Sequence, residues 1–184
     1  EIREILDDVV KDSKRAAEII RKIRGFLKKS LHKPVPLDLN STIQEILPLI
    51  RSNALIKNVS LNIELAPDLP PVLGDRIQLQ QVIVNLALNG FEAMTGEGEK
   101  ELTIRTASDG RTVTVSIKDT GTGIAVENLE DLFKPFFTTK NEGMGMGLAV
   151  NRSIIEAHGG SLTAENNRGP GATFSFTLPV YKGD

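Results

Sequence analysis

The chain has 184 residues, of which 40% are hydrophobic and 25% charged, and its formal net charge is −2. This length fits one α/β domain with a helical appendage, and the hydrophobic content suffices for a packed core. The absence of cysteine excludes disulfides and thiolate metal sites, and the two histidines, His32 and His158, lie too far apart in sequence to indicate a zinc site.

No apolar run approaches the 18 residues of a membrane-spanning helix, and the N-terminus lacks the pattern of a signal peptide. We therefore expect a cytoplasmic location, and the sequence leaves open whether a parent protein is membrane-associated. Because the chain begins at Glu1 rather than methionine, we expect it to be a fragment of a longer protein.

The first 33 residues predict one helix of a helical bundle. Small or apolar residues recur there at alternating steps of four and three, the heptad spacing of helices that pack along a partner. Ten Lys/Arg against six Asp/Glu make this segment basic. Low aromatic content and the lack of a base-reading motif favour a solvated helix face over nucleic-acid binding. One helix cannot fill a bundle, so we expect its partners to come from another copy of the chain or from sequence outside it. In the full protein we expect a homodimer through this helix, and we expect no nucleic-acid partner.

A proline-containing stretch follows the bundle helix and predicts a linker. Residues 31–38, LHKPVPLD, interrupt the heptad periodicity with two prolines. The predicted domains are therefore a dimerisation helix over 1–33 and a second domain over 38–184.

The second domain alternates between helical and strand patterns. An Asp-Gly turn between two alternating runs indicates a β-hairpin, and Gly159-Gly160 ends the last helix. The pattern predicts an α/β sandwich, with a mixed sheet of about five strands covered by about three helices. In chain order we expect a helix over 42–54 capped by Asn40 or Ser41, a strand over 59–65, a loop at PDLPP, a helix over 80–94, strands over 102–107 and 112–118, an irregular connection over 125–145, a helix over 148–158, and strands over 161–166 and 173–180.

The helix over 80–94 carries two asparagines on one face. Asn85 and Asn89 are four residues apart and lie one turn above the other. Amides at the rim of a buried helix are costly unless their polar atoms are used. Mg²⁺ with a polyphosphate would use both amides, and hydrogen bonds to loop backbone are the alternative. Asp75 and Gln78 predict a capping box at the start of this helix.

A carboxylate at a strand end marks a second candidate site. Asp119 is followed by Gly121 and Gly123. A carboxylate can accept a hydrogen bond from an exocyclic amine such as that of adenine, while glycines let the backbone approach a flat ring. A common strand-ending turn is the alternative interpretation.

Glycines before the last predicted helix form a third candidate. Gly143, Gly145 and Gly147 precede a helix that starts at Leu148. Such a segment directs N–H groups and the helix dipole at an anion, although a flexible loop would use the same residues. The preceding Thr138-Thr139-Lys140 supplies a cation, Lys140, that either reaches a phosphate or stays a solvated surface lysine.

The order of these motifs strongly resembles the ATP-binding domain of bacterial sensor histidine kinases, which has the Bergerat (GHKL) fold. The family's N, G1, F and G2 boxes match NLALN, DTGTGI, LFKPFF and GMGMG, and the resemblance covers residues 38–181. Residues 138–160 and the segment GATFSFTLP are most similar to the branch of oxygen-sensing and aromatic-sensing kinases. Residues 1–30 resemble the second helix of the dimerisation and phosphoacceptor hairpin.

The resemblance implies that the domain binds ATP and Mg²⁺. Asn89 would hold Mg²⁺, Asn85 would assist at the phosphates, and Asp119 would bind adenine N6. Gly121 and Gly123 would shape the base pocket. Asn85, Asn89 and Lys140 would be the catalytic residues. Further nucleotide contacts are implied for Ile124, Thr138, Thr139, Lys140, Gly143, Gly145, Gly147 and Leu148.

Two further positions take roles from the resemblance. Phe133 and Phe136 would anchor the connection over 125–145 against the domain. Gly90 stands where the family often has alanine, which would loosen the helix without removing the site.

Histidine kinases transfer the γ-phosphoryl group to a histidine and then to an aspartate of a response regulator. No segment of this chain resembles the helix that carries the phosphoacceptor histidine, and His158 is interpreted as structural. We therefore expect the catalytic half of a kinase, whose partners are ATP, a histidine-bearing helix of the parent kinase and a response regulator.

Two alternatives remain at this stage. Related ATPases of this fold use a glutamate on the N-box helix to activate water, but this chain has Asn85 there, which cannot act as a general base. Glu92 lies one turn beyond Asn89, so phosphoryl transfer is favoured over hydrolysis. A non-catalytic nucleotide-binding or dimerisation module is the second alternative.

Overall fold

The computed structural model describes residues 34–96, 98–139 and 145–183, and Pro34–Asp184 form one compact unit. The predicted bundle helix over 1–33 lies outside the described residues, as do Lys140 and Gly143 of the predicted site. The two-domain division, with its boundary between 33 and 38, therefore stays a prediction.

The described residues form a two-layer α/β sandwich. A five-stranded sheet has the order β2-β4-β5-β7-β6, with β2 and β4 parallel and the other pairs antiparallel. This confirms the predicted mixed sheet covered by three helices. The elements are β1 (Val35–Leu37), α1 (Leu39–Ile56), β2 (Ser60–Glu64), β3 (Val72–Gly74), α2 (Arg76–Ala93), β4 (Glu101–Ser108), β5 (Thr112–Asp119), a short 3₁₀ helix (Val126–Asn128), α3 (Gly147–Ala157), β6 (Ser161–Asn166) and β7 (Ala172–Pro179).

Strand alternation places the core on one face of the sheet. Every second residue of β5 is buried, and the residues between are half-buried or exposed. An antiparallel sheet with one solvated face shows this pattern. Because Asp119 continues the buried series of β5, its side chain enters the helix layer rather than solvent. The buried series is Val113, Val115, Ile117 and Asp119.

Two short strands differ from the sequence prediction. β1 lies within the predicted linker and β3 follows the predicted PDLPP loop, and the two pair as a separate antiparallel sheet. The linker interpretation of residues 35–37 is therefore wrong. Three residues are too few to show an alternating pattern, and a proline such as Pro36 is tolerated only at a sheet edge.

The N-terminus of α1 also differs from the prediction. The Asp38 carboxylate caps the helix by accepting hydrogen bonds from the N–H groups of Asn40 (2.9 Å) and Ser41 (3.2 Å). The predicted cap at Asn40 or Ser41 is therefore wrong. The Asn40 amide instead donates to the carbonyl of Ala66 (2.8 Å) and accepts from the Thr106 hydroxyl (2.9 Å), which ties α1 to β4.

Asp75 caps α2 as predicted, but a different residue completes the cap. Its Oδ1 accepts from the N–H groups of Ile77 (2.9 Å) and Gln78 (3.3 Å). The Asp75 N–H donates to Nε2 of His158 (2.9 Å), where a capping box would use the Gln78 side chain. Because Nε2 accepts, Nδ1 carries the proton and donates to the carbonyl of Ile154 (2.7 Å). His158 thus joins the end of α3 to the start of α2, which supports its structural interpretation.

Gly90 allows α2 to approach the sheet closely. A Cβ at this position would lie 2.5 Å from Cδ1 of Leu102 and 3.4 Å from Cβ of Asp119. Leu102 is fully buried, so its side chain has little room to move. Glycine at position 90 therefore lets α2 pack closely on β4. This contact lies beside Asp119 at the end of β5.

We expect Gly90→Ala to lower the free energy of unfolding by about 1 kcal/mol. Overpacking a core costs about 1–3 kcal/mol, and the gain in helix propensity offsets about 1 kcal/mol of this. Urea unfolding measures the change. Leu102→Val should make the same substitution less costly in the double variant. A Gly90→Ala chain more stable than the original would show that Leu102 moves aside at no cost.

Candidate functional site

The Asp119 carboxylate is buried at the end of β5, with only 2% of the residue exposed. Its Oδ1 accepts from the N–H groups of Gly121 (2.8 Å) and Ala172 (3.3 Å). Oδ2 lies on the side of Gly90, 3.8 Å from the place of a Cβ there. Burial raises the pKa of Asp119 above its ordinary value, and the two N–H donors oppose that shift. Backbone N–H groups thus hold Oδ1, and among the described residues no donor contacts Oδ2.

The turn between β6 and β7 holds Asp119 from the other side. The Asn167 Nδ2 donates to the carbonyls of Asp119 (2.8 Å) and Pro170 (2.9 Å), and its Oδ1 accepts from the Thr173 hydroxyl (2.7 Å). Gly171 has a φ of +87°, and a Cβ there would lie 2.0 Å from the Asp119 carbonyl oxygen. The sequence predicts only a turn at NRGPG, so the contribution of Asn167 and Gly171 to the site was missed.

The segment after Asp119 docks on the end of α2. A Cβ on Gly121 would lie 2.6 Å from the carbonyl oxygen of Ala93, and Gly123 has a φ of +72°. The Asn166 side chain makes two hydrogen bonds to the backbone of Ile124. Its Oδ1 accepts from the Ile124 N–H (2.7 Å), and its Nδ2 donates to the Ile124 carbonyl (2.7 Å). The fold therefore requires both predicted glycines, and Asn166, which was not predicted, fixes the segment they belong to.

The two asparagines lie on α2, and Asn85 contacts α3. Asn85 and Asn89 are both half-buried, as expected for the rim of a packed helix. Nδ2 of Asn85 donates to Oδ1 of Asn151 (3.2 Å), which is completely buried on α3. Asn85 is thus held by a helix side chain rather than by the loop backbone considered above. Asn151 was not predicted, although a polar residue in the apolar stripe of α3 is a signal that could have identified it.

The N-terminus of α3 offers backbone N–H groups without a side-chain cap. Met146 is the N-cap residue and makes no side-chain cap hydrogen bond. The first N–H groups of a helix lack intrahelical acceptors and attract anions. Gly147 is exposed, and a Cβ on it would meet no described atom within 4 Å. Glycine at 147 is therefore not required by packing against the described residues.

Gly145 has a different environment. Its φ is +64°, and a Cβ there would lie 2.4 Å from the carbonyl carbon of Phe136 and 2.4 Å from the carbonyl oxygen of Phe137. Because Gly145 lacks a Cβ, the chain just before α3 can pack closely against the phenylalanine-rich segment. Thr138 and Thr139 follow that segment as exposed residues, and Leu148 and Ile124 are half-buried against the core.

The two phenylalanines expected to anchor the connection behave differently. Phe133 packs against the core, and the Arg152 guanidinium lies 5.8 Å from its ring centroid. Phe136 is 75% exposed and has a φ of +68°. The anchoring role expected for Phe136 is therefore wrong. Its backbone, rather than its ring, packs against the chain at Gly145.

The possible metal-ligating side chains on α2 suit a metal ion that binds together with phosphates. Among the described residues, no group of three or more His, Cys, Asp or Glu side chains could hold a metal ion. The side chains nearest to the predicted metal position, Asn85 and Asn89, are neutral amides. Mg²⁺ commonly takes one or two protein ligands and completes its shell with water and substrate phosphates. The residues therefore fit Mg²⁺ bound to a polyphosphate.

A cavity of about 710 Å³ lies apart from these residues, between the end of α1 and the start of β4. Its lining includes Lys118 and Thr120, whose side chains point away from that of Asp119 because successive residues alternate. This cavity is therefore separate from the candidate site.

Comparison with known proteins identifies the family. Residues 74–182 match the histidine kinase-, DNA gyrase B- and HSP90-like ATPases. The sensor protein FixL of Bradyrhizobium diazoefficiens is 41% identical over 180 residues, covering 97% of this chain and 36% of FixL. The sensor histidine kinase TmoS of Ectopseudomonas mendocina is 37% identical over 184 residues, covering 98% of this chain and 19% of TmoS. The chain thus spans about a third or less of these two relatives.

Solved structures of histidine kinases share the fold. The nucleotide-free catalytic domain of histidine kinase ThkA aligns with a TM-score of 0.72 and 34% identity, covering 81% of this chain and 99% of that chain. ThkA in complex with the response regulator TrrA aligns with a TM-score of 0.77 and 30% identity, covering 94% of this chain and 49% of that chain. The chain belongs to the histidine kinase-, DNA gyrase B- and HSP90-like ATPase family, and Pro34–Asp184 has the fold of a histidine kinase catalytic domain.

Within the described residues, no helix is both long and apolar enough to cross a membrane.

The turn residue Gly171 provides a test of how Asp119 is held. We expect Gly171→Ala to lower the free energy of unfolding by more than about 2 kcal/mol, because a positive φ alone costs roughly 1–2 kcal/mol for a residue with a Cβ and the added atom meets the Asp119 carbonyl. Thermal and urea unfolding measure the loss.

Gly169 of the same turn is the matched control. It has no positive φ, and a Cβ there would meet no described atom within 4 Å. Gly169→Ala should stay within about 0.5 kcal/mol of the original chain. Equal effects of the two substitutions would contradict the account of Gly171.

Proposed function

We propose that this chain is the catalytic part of a sensor histidine kinase, which binds Mg-ATP and donates the γ-phosphoryl group to a histidine of its parent protein. The observation that carries the proposal is the Asp119 carboxylate, buried without a cationic partner among the described residues and with one oxygen left to accept a hydrogen bond. A buried carboxylate is costly unless it is paired or hydrogen-bonded. An exocyclic amine such as that of adenine supplies the missing donor.

The proposed base pocket lies between the end of α2 and the segment that follows Asp119. Gly121 keeps this segment close to α2, Gly123 keeps it close to Asn166, and Ile124 presents an apolar side chain that packs against the core. Asp119 would accept from adenine N6 through Oδ2, because the backbone donors of Gly121 and Ala172 already hold Oδ1.

The proposed phosphate and metal positions lie between α2 and the N-terminus of α3. Asn89 would hold Mg²⁺, and Asn85 would assist at the phosphates. When bound, Mg²⁺ neutralises charge on the transferring phosphoryl group. The uncapped N–H groups at Gly147 and Leu148 would receive phosphate oxygens. Thr138, Thr139, Lys140 and Gly143 are proposed to complete the phosphate contacts, together with Gly145 as their support.

The acceptor and the downstream partner come from outside the catalytic unit. We propose that a histidine-bearing helix of the parent kinase receives the phosphoryl group and that a response regulator takes it onto an aspartate. The similarity to ThkA, whose structure with the response regulator TrrA aligns over 94% of this chain, supports such a partner. Dimerisation through residues 1–33 and a cytoplasmic location belong to the same proposal.

Transfer is favoured over hydrolysis by the surroundings of Asn85. Its Nδ2 donates to another amide, Asn151, and neither side chain can act as a general base for water. Glu92, the carboxylate on the same helix, is exposed. Release of ADP from Mg-ATP by the chain alone should therefore be slow. Rapid multiple turnover without an added phosphoacceptor would favour an ATPase instead.

Asp119→Asn tests the base pocket by calorimetric titration with Mg-ATP. The original chain should bind, and the variant should bind at least about 10–100-fold more weakly, since a hydrogen bond to a charged group contributes about 1.5–3 kcal/mol. The variant keeps an oxygen for the Gly121 and Ala172 N–H groups, so its fold should persist. Absence of binding by the original chain would favour a non-catalytic module.

The stability of the Asp119→Asn variant should also depend on pH differently from that of the original chain. Because the folded-state pKa of Asp119 is raised, the folded chain keeps this proton where the unfolded chain has lost it, and Asp119 reduces stability as pH rises. Asp119→Asn removes this effect, so its stability relative to the original chain should increase from about pH 4 towards pH 7. Thermal unfolding across that range measures it, and a difference that shrinks with pH would contradict the assignment.

Gly147→Ala tests the phosphate position separately from folding. No described atom meets a Cβ at 147, and alanine has a helix propensity about 1 kcal/mol better than glycine. We therefore expect unchanged or higher stability with weaker Mg-ATP binding, because the Cβ would stand among the N–H groups that receive the phosphates. Gly145→Ala is the contrasting control and should lower stability. Unchanged Mg-ATP affinity of Gly147→Ala would contradict the phosphate assignment.

A further inference from the structure

Asn151 occupies an unusual place in the packing between α2 and α3. It and Ile155 are the buried residues of α3. Its Oδ1 accepts from Asn85, but its Nδ2 is buried and has no hydrogen-bond partner, and it is the only such side-chain atom within the described part of the chain. A buried donor without a partner lowers stability. A leucine has the same branching at Cγ and lacks the unpaired donor, so packing alone does not explain the asparagine.

The hydrogen bond to Asn151 fixes the orientation of the Asn85 amide. An amide presents donors on its nitrogen and an acceptor on its oxygen. With Nδ2 of Asn85 directed at Oδ1 of Asn151, the Asn85 oxygen is the polar atom of the amide that does not contact Asn151. Rotation of Asn85 alone would place two carbonyl oxygens against each other, which is unfavourable in a buried contact.

The fixed oxygen is the atom that a cation needs. Mg²⁺ takes oxygen ligands, and in the observed orientation the Asn85 oxygen is not engaged by Asn151. We propose that Asn151 is a positioning residue, which holds the Asn85 amide with its oxygen presented to Mg²⁺. This inference rests on the proposed function and assigns Asn151 no contact with the reacting atoms.

Calorimetric titration of the full chain with Mg-ATP and with metal-free ADP tests the inference. Asn151→Leu should weaken Mg-ATP binding on the order of tenfold, leave metal-free ADP within about twofold of the original chain, and leave the unfolding temperature unchanged or raised. A residue with a structural role alone would lower stability and weaken both ligands together. Ile155→Val is the matched control on the same buried face, and it should change stability without changing the ratio of the two affinities.

A double-variant cycle tests whether Asn151 acts through Asn85. Once Asn85→Ala has removed the amide, Asn151→Leu should cause no further loss of Mg-ATP affinity, because residues that act through one interaction are not additive. Additive losses would overturn the positioning role. If Asn151→Leu does not fold, Asn151→Ser decides: a selective loss of Mg-ATP affinity supports the inference, and an unchanged ratio overturns it.

The outcomes separate this inference from the function on which it rests. Unchanged Mg-ATP affinity in Asn151→Leu, with binding by the original chain intact, overturns the role of Asn151 and leaves the proposed function standing. Equal weakening of Mg-ATP and metal-free ADP also overturns it. Absence of nucleotide binding by the original chain overturns both.

Discussion

Burial of the Asp119 carboxylate at the end of β5 is the constraint around which the other contacts of the site are arranged. Strand alternation carries the side chain into the helix layer, where the charged form is disfavoured. Two backbone N–H groups from different segments, at Gly121 and Ala172, stabilise one oxygen, and Asn167 fixes the main chain of the same residue. Oδ2 takes no part in these contacts, and in the proposed function it would accept a hydrogen bond from the base.

Three parts of the structure that are distant in sequence make close contacts with α2. Gly121 lies against the end of the helix, Gly90 brings the helix onto β4, and Asn151 reaches Asn85 from α3. In each case a small residue or an amide replaces a larger apolar side chain at the contact. This arrangement leaves polar atoms at the rim of the core, where the proposed nucleotide with its metal ion would bind.

The sequence predicts the long elements and the polar residues that lie within motifs. Hydrophobic periodicity identifies α2, α3 and the five strands of the main sheet, and the motif order identifies the family. The sequence prediction misses β1 and β3, because they are too short to show a period. It also misses the cap of α1, because Asp38, Asn40 and Ser41 are all residue types that cap helices. Asn151 and Asn167 were missed because their roles depend on contacts between segments distant in sequence. Phe136 was misassigned because a cluster of aromatic residues in a sequence does not show which ring faces solvent. The positive φ of Phe136, which accompanies its exposed ring, is visible only in the structure.

The most direct test of the account is a titration of the ¹⁵N-labelled chain with Mg-ATP, followed through the backbone and side-chain amide resonances. A nucleotide between α2 and α3 should shift the backbone signals of Gly121, Ile124 and Gly147 and the side-chain amide signal of Asn85. Shifts confined to residues of the separate cavity, such as Lys118 and Thr120, would contradict the account. An unchanged spectrum would contradict nucleotide binding altogether.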